Sequence, residues 1–78
     1  EKSQQLTDSL QRIRSQPKEI WIVKLADRIS NLQPPPPHWT PAKVIRYRDE
    51  AIDIHTALKD ASPFLSLRLS KKIANYLD

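Results

Sequence analysis

Three polar side chains, spaced to share one face of a helix, are the residues of this chain best suited to chemistry. Lys24, Asp27 and Asn31 supply an ammonium, a carboxylate and an amide. At about 100° per residue they fall within roughly a 60° arc, with the apolar residues clustered opposite. These apolar residues are Ile22, Leu25, Ala26, Ile29 and Leu32. A carboxylate next to an amide can hold a cation, or donate and accept hydrogen bonds at a ligand hydroxyl.

The residues before this face predict that Asp27 lies at least partly inside the protein. Residues 20–23 are apolar on every side, which is typical of a helix surrounded by neighbours. A buried carboxylate is costly unless a cation or several donors satisfy it. Asp27 therefore needs a metal ion, an ion pair with a residue such as Lys24, or a hydrogen-bonding cap. Spacing alone favours a structural acid.

The order of residues in this helix resembles a known signature. Residues 24–32 read Lys-Leu-Ala-Asp-Arg-Ile-Ser-Asn-Leu. They resemble the K-[LM]-A-D-[RK]-x-x-N-[LM] run of HD-domain phosphohydrolases, specifically the guanosine tetraphosphate hydrolases related to the Rel/SpoT enzymes and their small animal relatives. The likeness extends from about Leu6 to the end of the chain. It includes Trp39-Thr40-Pro41, Tyr47 and Glu50-Ala51, but only the signature is specific.

The resemblance implies roles for the three polar residues. In that family a divalent ion, typically manganese, is held by two histidines, the aspartate after the second histidine, and the aspartate of this run. Asp27 matches the last ligand and Asn31 matches an asparagine that faces the nucleotide sugar. Lys24, in the same run, is a candidate for substrate binding. The substrate implied is a guanosine polyphosphate, from which pyrophosphate is released.

The remaining metal ligands of the family have no counterpart here. The two histidines, His38 and His55, follow Asp27 in the sequence, and neither is followed by aspartate. We interpret His38 as a loop residue and His55 as a helix-face residue. The chain is thus expected to be the C-terminal part of an HD domain, without a complete catalytic site. It is not expected to bind manganese or to hydrolyse a substrate alone.

Composition limits the other possibilities. Seventy-eight residues form one domain at most, and without cysteine there is neither a disulfide framework nor a zinc finger. The net charge of +4 is interleaved along the chain, so nucleic-acid binding is weakly supported. The densest basic cluster, Arg68, Lys71 and Lys72, is interpreted as a solvated helix face. Glycine is absent, which excludes the phosphate-cradling loops that require it.

These limits favour a cytoplasmic location and no membrane partner, since no apolar run approaches the roughly 20 residues of a membrane span. The expected partners are a nucleotide, if the full domain is present, and a second copy or the missing N-terminal half. The alternative function is a non-catalytic helical module that binds a partner through the surface which that half would cover.

The periodicity of apolar residues predicts an all-α fold of four helices. The first runs from about Ser3 to Arg14, and the helix with the signature follows Pro17 and ends near Leu32. Residues 34–37 are four prolines, predicted to form a stiff polyproline spacer of about 10 Å. Thr40-Pro41 and Ser62-Pro63 each predict a helix start. Trp39 is expected to pack on Val44 as a hydrophobic staple, and the last helix to continue to the end of the chain.

Overall fold

The computed structural model describes residues 2–76 and confirms the all-α prediction. Its helices are α1 (Lys2–Arg14), α2 (Lys18–Asn31), α3 (Pro41–Leu58) and α4 (Pro63–Asn75), with a single 3₁₀ turn at Lys59–Ala61. No strand occurs between residues 2 and 76. The helix ends lie within a residue or two of those predicted. Beyond Tyr76, the predicted continuation of the last helix falls outside the described residues.

Helices α3 and α4 begin with the same N-terminal capping arrangement, as predicted. The Thr40 hydroxyl accepts a hydrogen bond from the backbone N–H of Lys43 at 3.2 Å, and the Ser62 hydroxyl accepts one from Leu65 at 3.2 Å. A proline opens the first turn of α3 and of α4. Because proline has no N–H to leave unpaired there, the capping hydroxyl and the proline together satisfy most of the helix start.

The proline connector is bent, which corrects the prediction of a straight spacer. The chain bends at Gln33 and Pro34 and turns at Pro37 and His38. The Trp39 N–H donates to the Pro36 carbonyl oxygen at 3.1 Å and closes the turn. The connector therefore folds back on the helices, and this brings Trp39 over α3.

The core is one apolar cluster to which all four helices contribute. It contains Leu10, Trp21, Leu25, Ile29, Leu32, Ala51, Ile54, Leu58, Leu69 and Tyr76. Partly buried apolar residues of α1, α3 and α4 pack against it, namely Leu6, Ile13, Val44, Tyr47, Ala57, Leu65 and Ile73. The Ser66 hydroxyl donates to the Lys59 carbonyl oxygen at 2.7 Å and ties the 3₁₀ turn to α4. Among residues 2–76, no helix is both long and apolar enough to cross a membrane.

The helices form a shallow arrangement, and this leaves large apolar side chains uncovered. The Cα positions span 36 × 30 × 15 Å, so the shortest dimension corresponds to two packed helices. Ile20 is 45% exposed and Val23 is 65% exposed. The prediction that neighbours surround residues 20–23 is therefore wrong for these two side chains, although Trp21 is buried.

Candidate functional site

Asp27 lies on the outer face of α2, so the prediction that it is partly inside the protein is wrong. The side chain is exposed, and Val23, one turn earlier on the same face, is exposed as well. The opposite face carries Leu25, Ile29 and Leu32 into the core. The predicted separation of polar and apolar faces holds, but no other helix covers the polar face.

The hydrogen-bond partner of Asp27 is Asn31, one turn further along α2. The Asn31 amide nitrogen donates to one carboxylate oxygen of Asp27 at 3.3 Å. Lys24 is half-buried one turn before Asp27, but it does not pair with it. In the part of the chain that the structure describes, the two ion pairs are Arg28–Glu50 and Arg48–Asp49. The second carboxylate oxygen of Asp27 thus remains open to solvent or a ligand.

The charged side chain that does enter the core region is Arg28. It is 9% exposed, and its guanidinium carbon lies 4.2 Å from the centre of the Tyr47 ring. One of its terminal nitrogens donates to the Tyr47 carbonyl oxygen at 3.4 Å and lies 3.9 Å from a Glu50 carboxylate oxygen. A planar cation suits both the ring face and the carboxylate, so Arg28 joins α2 to α3.

Sequence reasoning missed Arg28. At about 100° per residue, Arg28 lies between Lys24 and the buried Trp21, at the edge of the apolar arc of α2. This position was the signal, because a basic residue at the edge of an apolar arc can reach partners on the facing helix.

A cleft opens where Asn31 meets the connector. It has a volume of about 340 Å³ and is lined by Asn31, Gln33, three prolines of the connector, Trp39, Tyr47 and Tyr76. The proline connector thus forms one wall of this cleft. We call it the Asn31 cleft.

Three aromatic rings line the Asn31 cleft. Trp39 and Tyr47 meet edge to face with ring centroids 5.4 Å apart, and the Tyr47 and Tyr76 rings are 6.2 Å apart. Lys43 lies over Trp39 with its ammonium nitrogen 4.6 Å from the ring centre. The ring contact of Trp39 is therefore with Tyr47, one turn beyond the Val44 that the staple prediction named. Such rings can stack on a planar ligand, and the lysine adds a positive charge at the edge.

The hydroxyl of Tyr76 has an unusual environment. Tyr76 is 6% exposed, and its hydroxyl oxygen is buried without a hydrogen-bond partner. Burial raises the pKa of Tyr76 above 10.0, the nearby Tyr47 raises it further, and Arg28 opposes both effects. The phenol therefore stays protonated at neutral pH and remains a potential donor.

The residues present do not by themselves fit a manganese ion. Within residues 2–76, no group of three histidine, cysteine, aspartate or glutamate side chains is placed to hold a metal. His38 is exposed in the turn of the connector, and His55 is half-buried on α3. Asp27 offers one carboxylate, whereas a protein-held transition metal ordinarily takes three or four ligands.

No protein-family model matches the sequence, and no curated protein matches it. The likeness to the HD-domain hydrolases thus rests on the residues of the signature.

Proposed function

We propose that this chain forms the C-terminal part of a metal-dependent guanosine polyphosphate pyrophosphohydrolase. The observation that carries the proposal is the exposed Asp27 carboxylate, hydrogen-bonded to Asn31 at 3.3 Å at the edge of an aromatic cleft. The hydrogen bond to Asn31 holds the Asp27 carboxylate beside the residue that lines the cleft, and the second carboxylate oxygen stays available to a ligand. Asp53, an exposed acid on α3, does not line this cleft.

In this proposal the residues of the site divide the work. Asp27 would supply one oxygen ligand to a Mn²⁺ ion, and the remaining ligands would come from residues that this chain does not contain. Asn31 binds a sugar hydroxyl of the nucleotide. The positively charged Lys24 binds its negatively charged phosphates. The Trp39 ring, which meets Tyr47 edge to face, offers a face on which a purine base stacks. On its own the chain is expected to bind nucleotide weakly and not to hydrolyse it.

The test restores the missing ligands. A fusion that places a segment carrying the family's histidine and histidine-aspartate ligands before residue 1 is assayed with Mn²⁺ for release of pyrophosphate from guanosine tetraphosphate. We expect turnover in the fusion, loss of turnover in Asp27→Asn, and unchanged turnover in the matched control Asp53→Asn, an exposed acid on α3. A folded fusion that binds Mn²⁺ but does not release pyrophosphate would contradict the proposal.

A second candidate is a helical interaction module, favoured by the apolar exposure beside Asp27. Ile20 and Val23 lie on the same face of α2 as Asp27 and are 45% and 65% exposed. A partner helix, or a second copy, would bury this face. Sedimentation of the chain alone separates the candidates, because a module that self-associates forms dimers that Val23→Glu disrupts, whereas the hydrolase fragment stays monomeric until its other half is supplied.

A further inference from the structure

A second cavity lies on the other side of the connector from α3. Its walls are Leu32 and Gln33 with two prolines of the connector, and Lys72, Asn75 and Tyr76 at the end of α4. Its volume is about 370 Å³, and it shares Gln33, Pro34, Pro35 and Tyr76 with the Asn31 cleft. The two cavities therefore adjoin along the connector, and we call this one the Lys72 cavity.

Among the described residues, every ionisable or amide group on the wall of the Lys72 cavity can donate a hydrogen bond, and none is a carboxylate. Lys72 contributes an ammonium group, and neither ion pair of residues 2–76 involves it. The Gln33 amide nitrogen donates to the Ser30 carbonyl oxygen at 3.1 Å, which leaves its second N–H available. The sequence of α4, Pro63–Asn75, contains no acidic residue. The cavity is thus complementary to an anion.

Two helix ends oppose an anion at this position, because α2 as well as α4 ends at the cavity wall. The dipole of each helix places about half a negative charge at its C-terminal end. Lys72 offers a full positive charge from within the cavity wall, and Arg68 and Lys71 precede it on the same helix. The connector prolines carry no N–H, so all the donors are side chains that substitution can remove.

The buried hydroxyl of Tyr76 is an independent sign that a ligand belongs here. Tyr76 lines both cavities, and its hydroxyl has no partner within the described chain. Buried hydroxyl groups are nearly always hydrogen-bonded, so this phenol, on a ring that lines both cavities, still has a hydrogen bond to make.

We propose that the Lys72 cavity is a phosphate-binding subsite, in which Lys72, Asn75 and Gln33 hold a phosphate group of the nucleotide whose sugar and base occupy the Asn31 cleft. The inference rests on the proposed function for the identity of the nucleotide. The chemistry, a phosphate or pyrophosphate group, is the same whether the anion is part of a nucleotide or free in solution.

The experiment titrates the ¹⁵N-labelled chain separately with guanosine tetraphosphate and with inorganic pyrophosphate, and follows amide chemical shifts. We expect pyrophosphate to shift residues around Gln33, Lys72 and Asn75, and the nucleotide to shift these and also residues around Asn31. Removing one charged hydrogen bond predicts that Lys72→Gln weakens both ligands roughly tenfold. The matched control Lys59→Gln, which removes an exposed lysine of the 3₁₀ turn, leaves both affinities unchanged.

The variants separate this inference from the proposed function. Asn31→Ala should weaken the nucleotide but not pyrophosphate. If the nucleotide shifts only the Asn31 cleft and Lys72→Gln leaves its affinity unchanged, the subsite is overturned while the proposed function stands. If pyrophosphate binds through Lys72 but the nucleotide does not bind at all, the cavity is a site for free phosphate, and both the nucleotide subsite and the proposed function fail.

Discussion

Tyr76→Phe should stabilise the protein, because it removes a buried hydroxyl that has no hydrogen-bond partner. The ring is 6% exposed and packs in the core cluster, 6.2 Å from Tyr47, and phenylalanine keeps both contacts. Leaving a buried polar group unsatisfied costs about 1–3 kcal/mol. We expect the free energy of unfolding to rise by about 1 kcal/mol, at the lower end of that range. The lower value is expected because Tyr76 directly follows the last residue of α4 and can shift its position.

For a domain of this size, 1 kcal/mol corresponds to a rise in Tm of about 4–8 °C. The assay is thermal and urea denaturation followed by circular dichroism at pH 7, with a shift in the urea midpoint but no change in m-value. Tyr47→Phe is the matched control. That ring also packs in the aromatic cluster, but its hydroxyl is not a buried orphan. We expect its Tm to change by less than about 2 °C.

A fall in stability would refute the reasoning. If Tyr76→Phe lowers the free energy of unfolding by about 1 kcal/mol, the hydroxyl makes a stabilising bond in solution and is not an orphan. The phosphate subsite would then lose its independent support. If instead Tyr76→Phe is more stable and binds pyrophosphate a few-fold more weakly, the hydroxyl serves a ligand at the expense of stability.

Three further predictions follow from the same contacts. Arg28→Ala removes the stack on Tyr47 and leaves Glu50 without its partner. We therefore expect the free energy of unfolding to fall by about 2 kcal/mol and the Tm to fall by about 10 °C in thermal denaturation. An unchanged Tm would show that the guanidinium does not join α2 to α3. Asp27→Ala should change the free energy of unfolding by less than about 0.5 kcal/mol in urea, because the side chain is exposed; a larger loss would restore the structural interpretation of this acid. Because burial holds the pKa of Tyr76 above 10.0, the native state keeps a proton that the unfolded chain loses. The contribution of Tyr76 to stability should therefore be constant below about pH 10 and be lost as the pH rises above it. Urea midpoints above pH 10 should fall less steeply in Tyr76→Phe than in the unchanged protein.

The local signals in the sequence were sufficient for the helices but not for their surroundings. Thr40-Pro41 and Ser62-Pro63 specify helix starts through bonds that span three residues, so no tertiary information was needed. The prediction that Asp27 is buried required another helix to cover α2 at Val23. The described helices leave that face exposed. An apolar helix surface indicates that a neighbouring element can pack on it, but it does not identify that element.

The candidate site likewise combines a local contact that the sequence predicts with tertiary contacts that it does not. Asn31 was placed beside Asp27 by helical spacing alone, and the structure has this contact. Tyr76 lies close to connector residues that are more than forty positions away in the sequence. The periodicity of a helix cannot predict such a contact. The bend at Gln33 and Pro34 produces both cavities, whereas the run of prolines predicted a straight spacer.

The proline-opened helices have a consequence for the conformational entropy of folding. The chain has seven prolines and no glycine, and no residue between 2 and 76 adopts a positive φ. Each proline at a compatible position removes about 0.4–1 kcal/mol of backbone freedom that folding would otherwise have to restrict. A layer only 15 Å thick buries little apolar surface, so its marginal stability derives in part from an unfolded chain that is already stiff.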